Sequence, residues 1–162
     1  MDAPTTAARR ARRFDSPEQE AFLSLWRTYD RLRMLEDELF DRHGLTAQQY
    51  NALRLLRSAH PARVPTLVLA GRLVSRAPDV TRLLDKLADR DLIDRERPAH
   101  NRREVHVGIT AAGTTLLAEL AEEVRACHER QLGHLSPAEL RTLTDLLRKA
   151  RGPHEPDGSS WV

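Results

Sequence analysis

Residues 66–110 read TLVLAGRLVSRAPDVTRLLDKLADRDLIDRERPAHNRREVHVGIT, and the fold follows from how the apolar period changes along this stretch. From Thr66 to Leu73, the positions of Leu67, Leu69, Ala70 and Leu73 suit a short helix. Val74-Ser75-Arg76 reads as a turn. A second helix is expected from Ala77-Pro78 to about Arg90, with proline in the first turn, where its missing N–H has no partner to lose. Val80, Leu83, Leu84, Leu87 and Ala88 then share one face. The pattern next becomes strand-like over Leu92–Arg97, turns at Pro98-Ala99-His100-Asn101, and alternates with period two over Glu104–Ile109.

Working outward, Ser16-Pro17-Glu18-Gln19 opens a long first helix as a capping box. Phe22, Leu25, Trp26, Tyr29, Leu32, Leu35 and Leu39 mark its apolar stripe, and Gly44 ends it. Thr46-Ala47-Gln48-Gln49 caps a second helix carrying Tyr50, Leu53 and Leu56, which closes near His60-Pro61. After the hairpin, Thr110-Ala111-Ala112-Gly113 leads into a long helix with Leu116, Leu117, Leu120, Val124, Cys127 or His128, and Leu132. Ser136-Pro137-Ala138-Glu139 caps a final helix with Leu140, Leu143, Leu146 and Leu147. The expected organisation is a flexible arginine-rich arm over 1–15, an N-terminal helix over 16–45, a central domain over 46–110, C-terminal helices over 111–151 and a flexible tail over 152–162.

Bulk properties narrow the classes. A chain of 162 residues fits one domain, and its 31% charged and 4% aromatic content makes leucine the main core residue. Net charge is only +2, so the placement of the arginines matters more than their number. A single cysteine, Cys127, excludes an internal disulfide and a four-cysteine zinc site, and the histidines show no metal spacing. No apolar run approaches the ~18 residues of a membrane span. Arg9, Arg10, Arg12 and Arg13 are not followed by the apolar segment of a secretory signal. A cytoplasmic, nucleoid-associated protein without cofactor or metal is expected. No glycine-rich phosphate loop, nucleophile elbow or paired-carboxylate scaffold points to an enzyme.

Two short helices joined by a tight turn suggest a helix-turn-helix, and a basic hairpin directly behind it suggests a wing. The fold class is thus mainly α with a small β-hairpin wing: a winged helix-turn-helix core between N- and C-terminal helices. On the second short helix Pro78, Asp79, Thr81, Arg82, Asp85 and Lys86 are expected to face outward. Arginine can bond two acceptors on guanine in the major groove, lysine can hold guanine or phosphate, and threonine can meet a base edge or a thymine methyl. The hairpin concentrates Arg95, Arg97, Arg102 and Arg103 around Asn101, and a narrow minor groove attracts such cations. Arg76 in the turn, Pro78, Asp79, Thr81, Arg82 and Lys86 of the helix, and Arg95, Arg97, Asn101, Arg102 and Arg103 of the hairpin form the expected interface with double-stranded DNA. A winged-helix module that binds protein, or binds DNA only architecturally, is the alternative; the outward Thr81, Arg82 and Lys86 favour base reading.

The stretch from Thr66 to Gly113 resembles the DNA-binding core of the multiple antibiotic resistance regulator (MarR) family. The resemblance rests on Val80-Thr81-Arg82-Leu83-Leu84-Asp85, Asp91-Leu92-Ile93, Asn101-Arg102-Arg103 and Ile109-Thr110-Ala111-Ala112-Gly113, in that order and spacing. Gly44-Leu45-Thr46 with Gln49 and Tyr50 extends it, to about residues 17–150. It implies a transcriptional regulator, usually a repressor, whose first, fifth and sixth helices join two copies. Phe22, Leu25, Leu32, Leu140, Leu143 and Leu147 are the expected seam of that homodimer. It also implies a roughly palindromic operator and release of DNA by a small phenolic or anionic effector, at a site the sequence leaves unknown. Trp26, Tyr29, His43, Tyr50 and Arg54 are read as core or surface rather than as that site. Two departures stand out. Asn101 replaces the wing aspartate that would orient Arg103, and Asp91 replaces a glycine ahead of the wing, a position aspartate tolerates if the backbone is left-handed.

Overall fold

A computed structural model describes residues 14–74, 79–99 and 101–155. The element order is α1 (Pro17–Asp41), α2 (Ala47–Ala59), β1 (Val64–Pro65), α3 (Thr66–Arg72), α4 (Val80–Ala88), β2 (Ile93–Glu96), β3 (His106–Ile109), α5 (Ala111–Leu132) and α6 (Pro137–Arg151), closed by a 3₁₀ turn at Gly152–His154. The chain divides into two compact units after Met34.

Within the first unit, the start of α1 is held by the Ser16 hydroxyl, which accepts the Gln19 N–H at 3.1 Å. The expected capping box is only half formed. The Gln19 carboxamide oxygen accepts the N–H of Asp15, at 2.8 Å, rather than that of Ser16. Asp15 is therefore part of the cap and not of a free arm. Phe22 and Trp26, one turn apart, tilt against each other with ring centroids 6.2 Å apart. Phe22, Leu25, Trp26 and Tyr29 all lie exposed along one helix face.

The second unit, from Leu35 onward, contains the core. Thr46 and Gln49 cap α2 reciprocally, and Gln49, Ala52, Leu53 and Leu56 form its buried face. They pack with Leu69 of α3, Leu83, Leu84 and Leu87 of α4, Val107 and Ile109 of β3, and Leu117, Leu120 and Val124 of α5. Cys127, not His128, continues the buried stripe of α5. Phe40 stacks on Tyr50 with centroids 4.6 Å apart.

The hairpin belongs to a three-stranded antiparallel sheet in the order β1-β3-β2. The hairpin strands are shorter than their apolar pattern, and β1 was not expected at all. Val64 pairs with Val107 and Pro65 with His106. Proline suits this position because an edge strand has N–H groups to spare. Thr66 then fastens the start of α3 to the wing: its N–H and its hydroxyl both donate to Val105 O, each at 3.0 Å.

Four further expectations need correction. The recognition helix begins at Val80 and ends at Ala88, inside the expected bounds of Ala77 and Arg90, because the Asp79 side chain accepts the Arg82 N–H and caps it there. Leu67, one of the apolar positions that suited the short helix, does not join its buried face and is 84% exposed. Leu146, likewise counted on the apolar face of α6, is exposed. The tail does not begin at Gly152, since α6 runs into the 3₁₀ turn and Glu155 N–H bonds Gly152 O at 3.3 Å.

Candidate nucleic-acid interface

The outer face of α4 follows from its cap and its period. With Leu83, Leu84 and Leu87 buried, Thr81, Arg82, Asp85 and Lys86 are exposed. Asp79 is exposed too, but its carboxylate is occupied as the N-cap. Arg76 and Pro78 lie outside the described residues.

Strand alternation sorts the charges of the wing. Asp94 and Glu96 share one face of β2 and are held by Arg63, from the loop before β1. The Arg63 guanidinium bonds both oxygens of Asp94, and its Nε lies 2.9 Å from Glu96 Oε2. Gly108, opposite Asp94 in the ladder, makes room for this cluster, since a Cβ there would sit 2.9 Å from Asp94 Oδ1. Arg95 and Arg97 belong to the opposite face. Arg95 Nη1 meets Asp85 Oδ1 of α4 at 2.7 Å, so the base of the wing is tied to the recognition helix. Arg97 Nη1 donates to Arg102 O at 3.0 Å and braces the wing tip. Asn101, expected to fix Arg103 more weakly than an aspartate would, accepts the Arg103 backbone N–H with its side-chain oxygen at 3.3 Å, and among the described residues no bond joins it to the guanidinium. It shapes the loop instead.

The α4 face and the wing converge on one cleft of about 420 Å³, lined by Thr81, Arg95, Arg97 and Arg103 over Leu67 and Leu84. Arg82, Lys86, Arg102 and Arg103 form no ion pair among the described residues. Two sets of unneutralised cations therefore stand on neighbouring protrusions. Such an arrangement offers donors to base edges from the helix and to phosphates or a narrow minor groove from the wing. Sequence reasoning missed Arg63 and the pairing of Asp85 with Arg95. The acid–base alternation Asp94-Arg95-Glu96-Arg97 was the available signal for both.

The remaining sequence candidates lie elsewhere. Leu140, Leu143 and Leu147 share one half-buried face of α6, and no α6 residue is fully buried. Phe22 and Leu25 are exposed in the first unit, and Leu32 is half-buried. Burial pushes the Cys127 thiol up, with Glu36 adding to the shift, so the reactive thiolate is disfavoured. Among the described residues no group of three or more His, Cys, Asp or Glu side chains could hold a metal ion, and no helix is long and apolar enough to cross a membrane.

Known proteins are similar to this chain in sequence and fold. A model of the MarR family matches residues 45–105. A MarR transcription factor from Planctomyces limnophilus of known crystal structure is 56% identical, with a TM-score of 0.68; the match covers 84% of this chain and 98% of that one. BpsR of Bordetella bronchiseptica, whose structure concerns regulation of DNA binding by 6-hydroxynicotinic acid, is 26% identical over 85% of this chain and 96% of that one, with a TM-score of 0.73. The transcriptional repressor MprA of Escherichia coli (strain K12) is 27% identical over 143 residues, which are 87% of this chain and 81% of MprA. With 56% identity to a relative matched over almost its full length, and with the helix-turn-helix and most of the wing inside the family match, the chain belongs to the MarR family of DNA-binding transcriptional regulators.

Proposed function

We propose that the protein is a repressor that binds a pseudo-palindromic operator as a homodimer, with α4 in the major groove and the wing in the minor groove. The observation that carries this reading is the shared cleft: Thr81 of α4 and Arg103 of the wing border one opening, while Arg82 and Lys86 of α4 and Arg102 of the wing form no ion pair among the described residues. Thr81, Arg82 and Lys86 are the proposed base readers. Arg103 and Arg102 take the backbone and minor groove, while Arg95 and Arg97 hold the wing in position. The exposed stripe Phe22, Leu25, Trp26 and Tyr29 in the first unit and, separately, the half-buried leucines of α6 in the second each supply apolar surface that a second copy would cover. Two recognition helices related by a two-fold axis reach major grooves one helical turn apart, which is what a palindromic site provides. The repressor relative MprA supports the direction of control.

The same cleft suits a small effector. Arg103, which forms no ion pair among the described residues, offers charge to a carboxylate or phenolate beside the lining Glu104, and Leu67 and Leu84 offer an apolar floor to a ring. Such a molecule would take up Arg103, which DNA also needs, and the BpsR relative, whose DNA binding is regulated by 6-hydroxynicotinic acid, supports this class of ligand.

The deciding measurement is binding of the purified protein to the DNA immediately upstream of its own gene, with non-specific competitor present. Retention on that fragment, followed by release on adding aromatic carboxylates, is the expected result. Binding that disappears with competitor on this and on every selected duplex would leave only an electrostatic, architectural role.

A further inference from the structure

Helices α1 and α4 end in the same way, and one side chain joins their ends. After α1, Gly44 is left-handed with φ 63°, Leu45 N–H bonds Phe40 O at 3.0 Å, and Gly44 N–H bonds Asp41 O at 3.1 Å. After α4, Asp91 is left-handed with φ 55°, Leu92 N–H bonds Leu87 O at 3.0 Å, and Asp91 N–H bonds Ala88 O at 2.9 Å. This pair of closing bonds satisfies carbonyls of the last turn, and the accompanying apolar contacts, Phe40 with Leu45 and Leu87 with Leu92, fall on buried residues. Arg90, the residue before the left-handed Asp91, donates from Nη1 to Gly44 O at 2.7 Å and from Nη2 to His43 O at 3.2 Å. A guanidinium there meets the negative end of the α1 dipole, and its planar fork fixes an angle as well as a distance.

The other side of the same junction is fastened to α5. Thr110 Oγ1 donates to Asp91 O at 2.6 Å, and Thr110 N–H donates to Leu92 O at 3.1 Å. Gly113 comes so close that a Cβ there would sit 2.3 Å from Leu92 O. Residues 90–92 thus join the exit of the recognition helix to the end of α1 on one side and to the start of α5 on the other. Arg90 itself is exposed, so its replacement removes no core packing.

We infer that Arg90 is a positioning residue for DNA recognition: its two bonds set the angle of α4 against the α1 end, and thereby the half-site spacing that the protein accepts. The inference rests on the dimeric, operator-binding reading, because spacing has meaning only for two linked recognition helices. Arg90 contacts no base in this scheme. Its loss therefore relaxes geometric selectivity more than it weakens binding to any one half-site.

The test begins with the full-length protein and a pool of random duplexes, from which the wild type selects its preferred site. Variants of that site with one base pair inserted or removed at the centre are then compared. The wild type is expected to discriminate against them, and Arg90→Gln to reduce that discrimination roughly 3- to 10-fold, with unchanged base preference within each half-site. Arg90→Lys keeps the charge but not the fork and should fall between; it also serves if Arg90→Gln folds poorly. Equal spacing selectivity in wild type and a folded Arg90 variant would overturn the positioning role while leaving the operator reading intact. Failure of the wild type to select any palindrome would overturn the operator reading, and the inference with it.

Discussion

Helices α4 and α6 differ in which of their sides the chain leaves unfinished. In α4, Leu83, Leu84 and Leu87 are buried in the core, and the open side carries Thr81, Arg82, Asp85 and Lys86. In α6 no residue is buried; Leu140, Leu143 and Leu147 remain half-buried and Leu146 is 60% exposed. The capping box of Ser136 and Glu139 and the Arg148, Lys149 and Arg151 cations of the last turn stabilise α6 locally. Its apolar stripe nevertheless lacks a full set of neighbours. The contrast matches the different partners proposed for the two helices, DNA for α4 and the apolar surface of a second copy for α6.

The largest effect should come from breaking the finished side of α4. Leu87 is fully buried, so Leu87→Ala removes apolar contact and leaves a cavity, at a cost of about 2–5 kcal/mol in urea unfolding. A loss below about 0.5 kcal/mol, the scale of a surface substitution, would mean that α4 is not seated on this core. The unfinished side of α6 comes next. Leu143→Glu combined with Leu147→Glu should convert a dimer into monomers in sedimentation velocity. Operator affinity should then fall by roughly 100-fold or more, because the second half-site no longer adds to the first. A double variant that sediments and binds like the wild type would remove α6 from the seam. On the charged side of α4, Arg82→Ala should cost about 1–3 kcal/mol on the operator and relax the preference at one base position. Unchanged affinity across all sequences would mean that the reading face lies elsewhere.

Legibility in the sequence divides along the same line. Caps and periods are local, so Thr46 with Gln49, Ser136 with Glu139 and the order of six helices around a hairpin could be read directly, whereas the left-handed backbone at Asp91 was only a condition attached to the family resemblance. Asp79 could be placed near the start of α4 but not recognised as its cap, because Ala77-Pro78 offered a plausible earlier start. Strand β1 has two residues, too few to show a period, and its partner is remote in sequence. Leu67 shows the limit of apolar spacing in a seven-residue helix: the period marks a face without saying whether anything covers it. The pairings of Arg63 with Asp94 and Glu96, of Arg95 with Asp85, and of Arg90 with the α1 end are all tertiary. Composition could count these arginines but not separate the ones that brace the fold from the ones that form no ion pair among the described residues.

That separation makes the smallest prediction the most discriminating. Arg103 lines the cleft and pairs with no carboxylate among the described residues, whereas Arg95 is bound to Asp85. An arginine that neutralises a phosphate releases a condensed counterion, so its removal lowers the slope of log affinity against log salt by about 1. Arg103→Gln should do this on every duplex, specific or not, with little change in base preference. Arg95→Gln should leave that slope nearly unchanged, since its charge is already matched within the protein, and should act through a loosened wing. If both substitutions lowered the slope equally, the Arg95–Asp85 pair would have to open on binding, and the recognition helix and wing would be separate contacts rather than one braced surface. If neither changed it, the wing would stand off the backbone and the cations of α4 would carry the electrostatic attraction alone.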